Sequence, residues 1–235
     1  MKIYVAIVLV SVLSACLSMM LLYLYGIIEK KANLPFFRIL NPFCTKYSHE
    51  SKPFGLKQSC IVFSVCILTT FSSLVQLYQC GIHMLDLCKL AQLLFVVFVV
   101  AVIDWKYHIV PNKIILLALI GRMILYIFEF IKRRDLAGTI AISSLIGFLF
   151  GFGLMLIFAV VSRHALGYGD VKLFGIIGLY LGLIPTYNVL FYSLIVSTMA
   201  GVFLLIVKKR GRKYQMPFGP FILIGYVGVL WMGMY

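Results

Sequence analysis

Charged side chains are scarce in this sequence, and acidic side chains are the scarcest of them. Only 12% of the 235 residues are charged, with seven Asp and Glu residues beside 21 Lys and Arg residues. Soluble domains carry about a quarter charged residues, and 63% of this chain is hydrophobic, so the composition excludes an ordinary soluble domain. Apolar runs of about 18 residues or more recur, and each can cross a bilayer as a helix. Since strand-like alternation is absent, the predicted fold class is an all-α polytopic membrane helix bundle.

The sequence also lacks the patterns that indicate binding of nucleic acid or metal. Its formal net charge of +14 comes from short basic clusters between apolar runs, as in cytoplasmic loops of membrane proteins, and it has no basic-aromatic array. The six cysteines contain no CxxC pair, which argues against a zinc site. We therefore expect the lipid bilayer as a partner, and neither nucleic acid, a metal ion nor another cofactor.

About eight membrane spans are predicted, with the N-terminus outside. Two basic segments, residues 29–57 and 208–213, should be cytoplasmic by the positive-inside bias. The same count places residues 104 and 164–170 on the cytoplasmic side, whereas "KRRD" at 132–135 falls outside, against the bias. Apolar residues continue past the signal-like start, so the first span is expected to stay uncleaved. The predicted spans are 3–28, 58–79, 89–104, 113–130, 139–161, 171–184, 188–207 and 218–235.

Two of the seven acidic residues, Asp104 and Asp170, lie at predicted span ends on the same side of the membrane. Asp104 ends the apolar run in "VVAVIDWKYHIVPN", and Asp170 follows glycines in "GYGD". An ionisable residue at membrane depth costs about 2.5–3.5 kcal/mol on insertion scales, and it is therefore a functional candidate. Glu129 is predicted to reach the interface or to pair with Lys132 or Arg133. The remaining acidic residues are assigned to solvated loops: Glu29, Glu50, Asp86 and Asp135.

Two neighbouring carboxylates can perform acid–base chemistry. Because both cannot ionise cheaply, one holds a proton while the other stays charged. The charged member can take a proton from water that attacks a peptide carbonyl, and the protonated member can donate to the carbonyl oxygen or the leaving nitrogen. The residues alone leave other roles open: Asp170 as a helix cap, Asp104 as an interfacial carboxylate paired with Lys106 or Lys172, or both as a proton relay.

The residues beside each aspartate favour presentation of its side chain. Gly167 and Gly169 allow backbone torsions closed to other residues and leave space for a substrate strand. They are predicted to hold Asp170 at the start of the next helix, where the helix dipole favours a carboxylate. Pro111 imposes an extended conformation on Val110 and can open the following helix. The stretch "DWKYHIVPN" is thus predicted to be a helix end, a loop and a new helix.

At these residues the sequence resembles the type IV prepilin peptidase family of GxGD membrane aspartic proteases. "AVIDWKYHIVPNKI" resembles the first aspartate motif of the family, which ends in Pro-Asn, here with Asn112. "GYGDVKLFGIIGLYLG" resembles its GxGD motif with the following lysine, Lys172, and "MPFGPFILIG" resembles a C-terminal Pro-Phe-Gly-Pro segment typical of the group. The resemblance implies a membrane aspartic endopeptidase with Asp104 and Asp170 as its catalytic pair.

The resemblance also implies a substrate and a location. Such enzymes remove the short basic leader of prepilins or pseudopilins, in type IV pilus and secretion systems, on the cytoplasmic side of the cell membrane. Cleavage typically follows a glycine, and the hydrophobic stem of the substrate stays in the membrane. The peptidase core would occupy 89–235, after an N-terminal membrane region at 1–88. Bifunctional members carry two CxxC pairs in the first cytoplasmic loop, whereas that loop here holds only Cys44, so methyltransferase activity is not expected.

The Pro-Phe-Gly-Pro segment and the rival functions stay open at the level of sequence. Pro217 and Pro220 bracket Phe218 and Gly219 before the last span, which indicates either a rigid break or a substrate-docking role. A presenilin-like protease is disfavoured, because the sequence has "IDW" and no "PAL". A proton-coupled transporter, which would want carboxylates near the bilayer midplane, and a non-catalytic pilus assembly factor are the alternatives to a protease.

Overall fold

Six helices make up the part of the chain that the structure, a computed structural model, describes. The described residues are 83–161, 167–207 and 216–235, together with Val75, and all of them belong to one unit, Ser72–Tyr235. For these residues the predicted all-α fold is confirmed. The helices are α1 (Met84–Tyr107), α2 (Asn112–Lys132), α3 (Arg134–Val161), α4 (Tyr168–Leu181), α5 (Leu183–Val207) and α6 (Gly219–Trp231).

Each predicted span from 89–104 onward overlaps one of these helices. Several other predictions fall outside the described residues. They are the span 3–28, the span 58–79 apart from Val75, the basic segment 29–57 with Glu29 and Glu50, and the basic segment 208–213.

The six helices differ in whether they are long enough to cross a membrane. Four contain a sufficient apolar stretch, at Leu85–Trp105, Asn112–Lys132, Arg134–Val161 and Leu183–Ile206. The other two, α4 and α6, have 14 and 13 residues. At about 1.5 Å per residue they are about 20 Å long, which is shorter than a hydrocarbon core of about 30 Å. Full spans at 171–184 and 218–235 are therefore not confirmed, and the total of about eight spans with an external N-terminus stays a prediction.

The interior of the bundle is formed around α1 and α4. Of the apolar stretch in α1, 72% is buried, against 22%, 28% and 17% for those of α2, α3 and α5. Most residues of α4 are buried as well. The three outer helices expose long apolar faces, which a bilayer can cover. This arrangement fits a membrane bundle in which α2, α3 and α5 face lipid and α4 is enclosed by protein.

Glycines let α3 and α4 approach each other backbone to backbone. A Cβ atom at Gly147 would meet the carbonyl oxygen of Gly178 and lie 2.6 Å from the Cα of Gly182. One turn further along α3, a Cβ atom at Gly151 would lie 2.5 Å from the carbonyl oxygen of Phe174. Small residues spaced by four allow membrane helices to pack this closely. The short helix α4 is held in the interior by these contacts.

A buried ionic cluster joins α2, α3 and α4. Arg122 is fully buried, and its Nη1 atom lies 3.1 Å from Oε1 of Glu129. The same guanidinium donates hydrogen bonds to Oγ of Ser144 (3.3 Å) and to the carbonyl oxygen of Leu179 (3.2 Å). Its Cζ atom lies 3.9 Å from the ring centroid of Tyr126. These partners offset the desolvation penalty of burying the charge.

The partner of Glu129 differs from the prediction. Pairing with Lys132 or Arg133 is wrong, because Glu129 pairs with Arg122, seven residues earlier. Seven residues make about two helical turns, so both side chains lie on the same face of α2, and that face is turned into the bundle. Arg133 donates instead to Asp86.

The N-terminal ends of α1 and α3 carry the other described acidic residues. Asp86, predicted to lie in a solvated loop, lies in the first turn of α1, where its carboxylate is 2.9 Å from Arg133 and 3.3 Å from Lys89. Asp135 lies in the first turn of α3 and is exposed. The two loop assignments are corrected, since both residues belong to helices.

Candidate active site

Asp104 lies in the last turn of α1, where the long buried helix ends. The helix stops at Tyr107, and the next residue, His108, has a left-handed conformation with φ 53°. The N–H of His108 donates to the carbonyl oxygen of Asp104 over 2.9 Å. After a short connection, α2 begins at Asn112, directly behind Pro111. The predicted helix end, loop and new helix are confirmed, and the Asp104 side chain is buried with 6% of its surface exposed.

Asp170 lies in the first turn of α4, as predicted. Gly167 occupies the N-cap position, and its carbonyl oxygen accepts a hydrogen bond from the Asp170 N–H over 3.0 Å. The alternative in which Asp170 is the helix cap is therefore wrong. The predicted use of unusual torsions is wrong too, because Gly167 has φ −72° and Gly169 is not among the described glycines with positive φ. The Asp170 side chain is buried, with 8% exposed.

Gly169 of the GYGD motif supplies space rather than torsional freedom. A Cβ atom at Gly169 would lie 2.6 Å from the Cβ of Val110. The turn that carries the second aspartate therefore packs directly on the loop that follows the first. A second link is polar, since Nζ of Lys172 donates to Oδ1 of Asn112 over 3.0 Å. These two contacts bring together the motif segments that the sequence placed on one side of the membrane.

The Pro-Phe-Gly-Pro segment contacts Asp104 directly. Helix α6 begins at Gly219 with Pro220 in its first turn, and the Gly219 N–H donates to Oδ2 of Asp104 over 2.7 Å. A Cβ atom at Gly219 would lie 2.9 Å from the Cβ of Asp104, so this approach requires glycine. The ring of Phe218 lies 6.3 Å from that of Phe174 in α4. All three motif segments therefore meet at one end of the bundle.

The two carboxylates are close enough for the charge of one to act on the other. Asp170 lies outside the four candidate membrane spans, and burial away from water, followed by the nearby Asp104 carboxylate, raises the pKa of Asp170 to about 7. Its Oδ1 atom is buried and has no hydrogen-bond partner in the described part of the chain. Of the two lysines considered as partners of Asp104, Lys172 binds Asn112 instead. The side chain of the other, Lys106, lies outside the described residues. Such a pair can hold a single proton near neutral pH.

Proton transfer is the chemistry that this arrangement offers. A protonated carboxyl group beside an ionised one can donate and accept within a single reaction. Across residues 83–161, 167–207 and 216–235, no group of three or more His, Cys, Asp or Glu side chains is placed to hold a metal ion. Sequence reasoning missed the Gly219 N–H, because a backbone donor leaves no signal beyond the glycine itself.

Comparison with known proteins places these residues in a family. A family model described as the type IV leader peptidase family matches residues 91–206. The chain belongs to this family. The match contains both Asp104 and Asp170, whereas Gly219 lies beyond its end. The resemblance that the motifs indicated is thereby confirmed.

Individual members of the type IV leader peptidase family match the chain over a little more than half its length. The prepilin leader peptidase/N-methyltransferase of Bacillus subtilis (strain 168) is 23% identical over 145 residues, which are 61% of this chain and 55% of that protein. The proteins of the same name from Pseudomonas putida and Aeromonas hydrophila are 28% and 29% identical, over 56% and 59% of this chain and 45% and 48% of theirs. The chain thus spans about half the length of the curated relatives it matches. No solved structure matches it.

Proposed function

We propose that this member of the type IV leader peptidase family is a membrane aspartic endopeptidase whose catalytic pair is Asp104 and Asp170. The observation that carries the proposal is the burial of two interacting carboxylates where the end of α1 meets the start of α4. Ionisable side chains are expensive in such surroundings and mark functional sites by default. Family membership supports the same class of reaction.

In the proposed reaction the pair activates water. The ionised carboxylate accepts a proton from a water molecule as its oxygen attacks the scissile carbonyl carbon, and the protonated carboxyl group donates to the carbonyl oxygen. Gly169 and Pro111 shape the two loops, Gly167 caps α4, and the contact between Lys172 and Asn112 joins the loops. These residues are the scaffold of the proposed site, because they set the relative position of the aspartates without carrying the proton.

The substrates we propose are prepilins or pseudopilins with a basic leader and a hydrophobic stem. The relatives, named prepilin leader peptidase/N-methyltransferase, support this substrate class. Cleavage would follow a glycine at the cytoplasmic face of the cell membrane, while the stem stays in the bilayer beside the apolar outer helices. Because the sequence contains no CxxC pair, we propose peptidase activity without methyl transfer.

The test is cleavage of a defined substrate by the purified chain in detergent or lipid. The substrate carries a basic leader, a glycine and a hydrophobic stem, and mass spectrometry identifies the new N-terminus. A matched substrate has valine in place of that glycine. We expect cleavage after the glycine and much slower cleavage of the valine substrate. Absence of cleavage across several leaders would contradict a protease and favour a proton relay or a non-catalytic assembly factor.

The rate of cleavage is expected to fall as the pH rises above neutrality. The proposed reaction needs one proton on the pair, and this proton is bound below the pKa of Asp170, about 7, and lost above it. Well above that value the rate should drop by about tenfold per pH unit. The measurement is initial rate against pH, with folding checked at each pH.

His108 provides the control for this pH profile. It is an exposed residue next to the pair, since its backbone N–H donates to the carbonyl oxygen of Asp104, and its side chain lies outside the proposed catalytic pair. Asparagine tolerates a positive φ, and the His108→Asn protein should therefore keep the fold and the decline at high pH. A rate that stays constant well above neutrality in the parent protein would contradict the proposed proton.

A further inference from the structure

The two carboxylates of the proposed pair have different surroundings. Oδ2 of Asp104 accepts the Gly219 N–H at 2.7 Å, whereas Oδ1 of Asp170 is buried with no hydrogen-bond partner in the described residues. A backbone N–H can only donate, so it stabilises an ionised oxygen more than a protonated one. A buried carboxylate oxygen without a donor lacks this compensation and favours the protonated form.

We propose that the Gly219 N–H fixes the roles within the pair, with Asp104 as the ionised base and Asp170 as the protonated acid. This assignment rests on the proposed peptidase function and adds to it. Gly219 is a positioning residue, since it acts through Asp104. Because Gly219 lies at the start of α6, the Pro-Phe-Gly-Pro segment gains a role in fixing the ionised form of Asp104. This role differs from both a rigid break and substrate docking.

The roles give a balanced hydrolysis. Asp104 removes a proton from water, the water oxygen bonds to the carbonyl carbon, and Asp170 gives its proton to the carbonyl oxygen. In the second step the carbon–nitrogen bond breaks, Asp104 passes its proton to the leaving nitrogen, and Asp170 recovers a proton from the diol. Water and one peptide bond are consumed, one carboxylic acid and one amine are formed, and both aspartates return to their starting states.

The charged groups around the pair support the assignment of Asp104 as the base and Asp170 as the acid. The Asp104 carboxylate acts on Asp170 and favours the protonated form of Asp170. Lys172, two residues after Asp170, directs its ammonium group to Asn112. The Gly219 N–H therefore favours the ionised form of Asp104, which leaves the shared proton on Asp170.

Infrared spectroscopy can locate the proton without reference to cleavage. A protonated carboxyl group has a carbonyl stretch that a carboxylate and an amide lack, and difference spectra between parent and variant remove the contribution of other groups. At mildly acidic pH we expect this band in the parent and in Asp104→Asn, and its loss in Asp170→Asn. Loss in Asp104→Asn, equal loss in both variants, or absence from the parent would overturn the assignment, even where the parent protein cleaves its substrate.

A second comparison tests the part played by Gly219. In Gly219→Ala the new methyl group would collide with Asp104, while Gly228→Ala, on the same helix, places a methyl group in open space. We expect kcat to fall by about tenfold to a hundredfold in Gly219→Ala, because small displacements of reacting groups have effects of this size. We also expect KM to stay near the parent value, the carboxyl band to shift, and Gly228→Ala to match the parent. Equal kcat values in the two alanine variants would overturn the role of Gly219.

Discussion

Replacement of either Asp104 or Asp170 by asparagine is expected to lower the rate of leader cleavage by about 10²- to 10⁴-fold, the range that acid–base catalysis contributes. Asparagine can neither accept the proton of the attacking water nor deliver one to the carbonyl oxygen. It keeps the size of the side chain and, at position 104, an oxygen that can accept the Gly219 N–H. The fold should therefore survive while the proton transfers are lost. Initial rates and the mass of the new N-terminus measure the effect.

The matched control is Asp135→Asn. Asp135 is an exposed carboxylate in the first turn of α3, so its replacement removes one negative charge without touching the pair. We expect this variant to cleave at the parent rate, and all three variants to unfold near the parent temperature. Near-parent cleavage by either Asp104→Asn or Asp170→Asn would exclude the two-aspartate mechanism.

The largest expected effect on stability comes from breaking the buried pair of Arg122 and Glu129. Arg122→Met leaves Glu129 buried without its counter-charge, and Glu129 already has one oxygen, Oε2, with no described partner. Removing one member of a buried ion pair typically costs about 3–5 kcal/mol. The loss should appear in the free energy of unfolding, measured with denaturant in a defined detergent.

A double variant separates the pair from the individual side chains. In Arg122→Met with Glu129→Leu no charge is left buried, so much of the lost stability should return. Lys132→Met is the control, since Lys132 is an exposed cation near the end of the same helix. If Arg122→Met were no less stable than Lys132→Met, the pair would not contribute to the fold.

Local patterns in the sequence account for much of the described structure. The apolar runs predicted the helices, because burial in lipid or protein depends on composition over a window that the sequence shows directly. Asp104, Pro111 and Asp170 were placed at helix ends for reasons of chain chemistry, and the structure has them there. Counting crossings predicted one membrane side for both aspartates, and in the structure the two carboxylates lie close enough to interact. The role of each carboxylate in catalysis remains a prediction.

Contacts between distant segments were the part that the sequence could not provide. The i,i+3 and i,i+4 rule favoured Lys132 or Arg133 for Glu129, yet tertiary packing turned Glu129 inward toward Arg122. An arginine in the middle of an apolar span, two turns before a glutamate, was the available signal. Likewise, the unusual torsions expected of the GYGD glycines rested on what glycine allows in general. The need for space at Gly169 arises from the position of Val110, a contact between segments that the sequence does not show.

Besides the two carboxylates and the Lys172–Asn112 hydrogen bond, the site depends on one main-chain N–H and on two glycines. The N–H of Gly219 on Asp104, and the contact of Gly169 with Val110, depend on the chain path and on two glycines. Evolution can therefore exchange much of the surrounding bundle, residue by residue, without moving the aspartates. We expect a library randomised at the lipid-facing positions of α2, α3 and α5 to retain many active sequences. A second library, randomised at Gly169 and Gly219, should retain few.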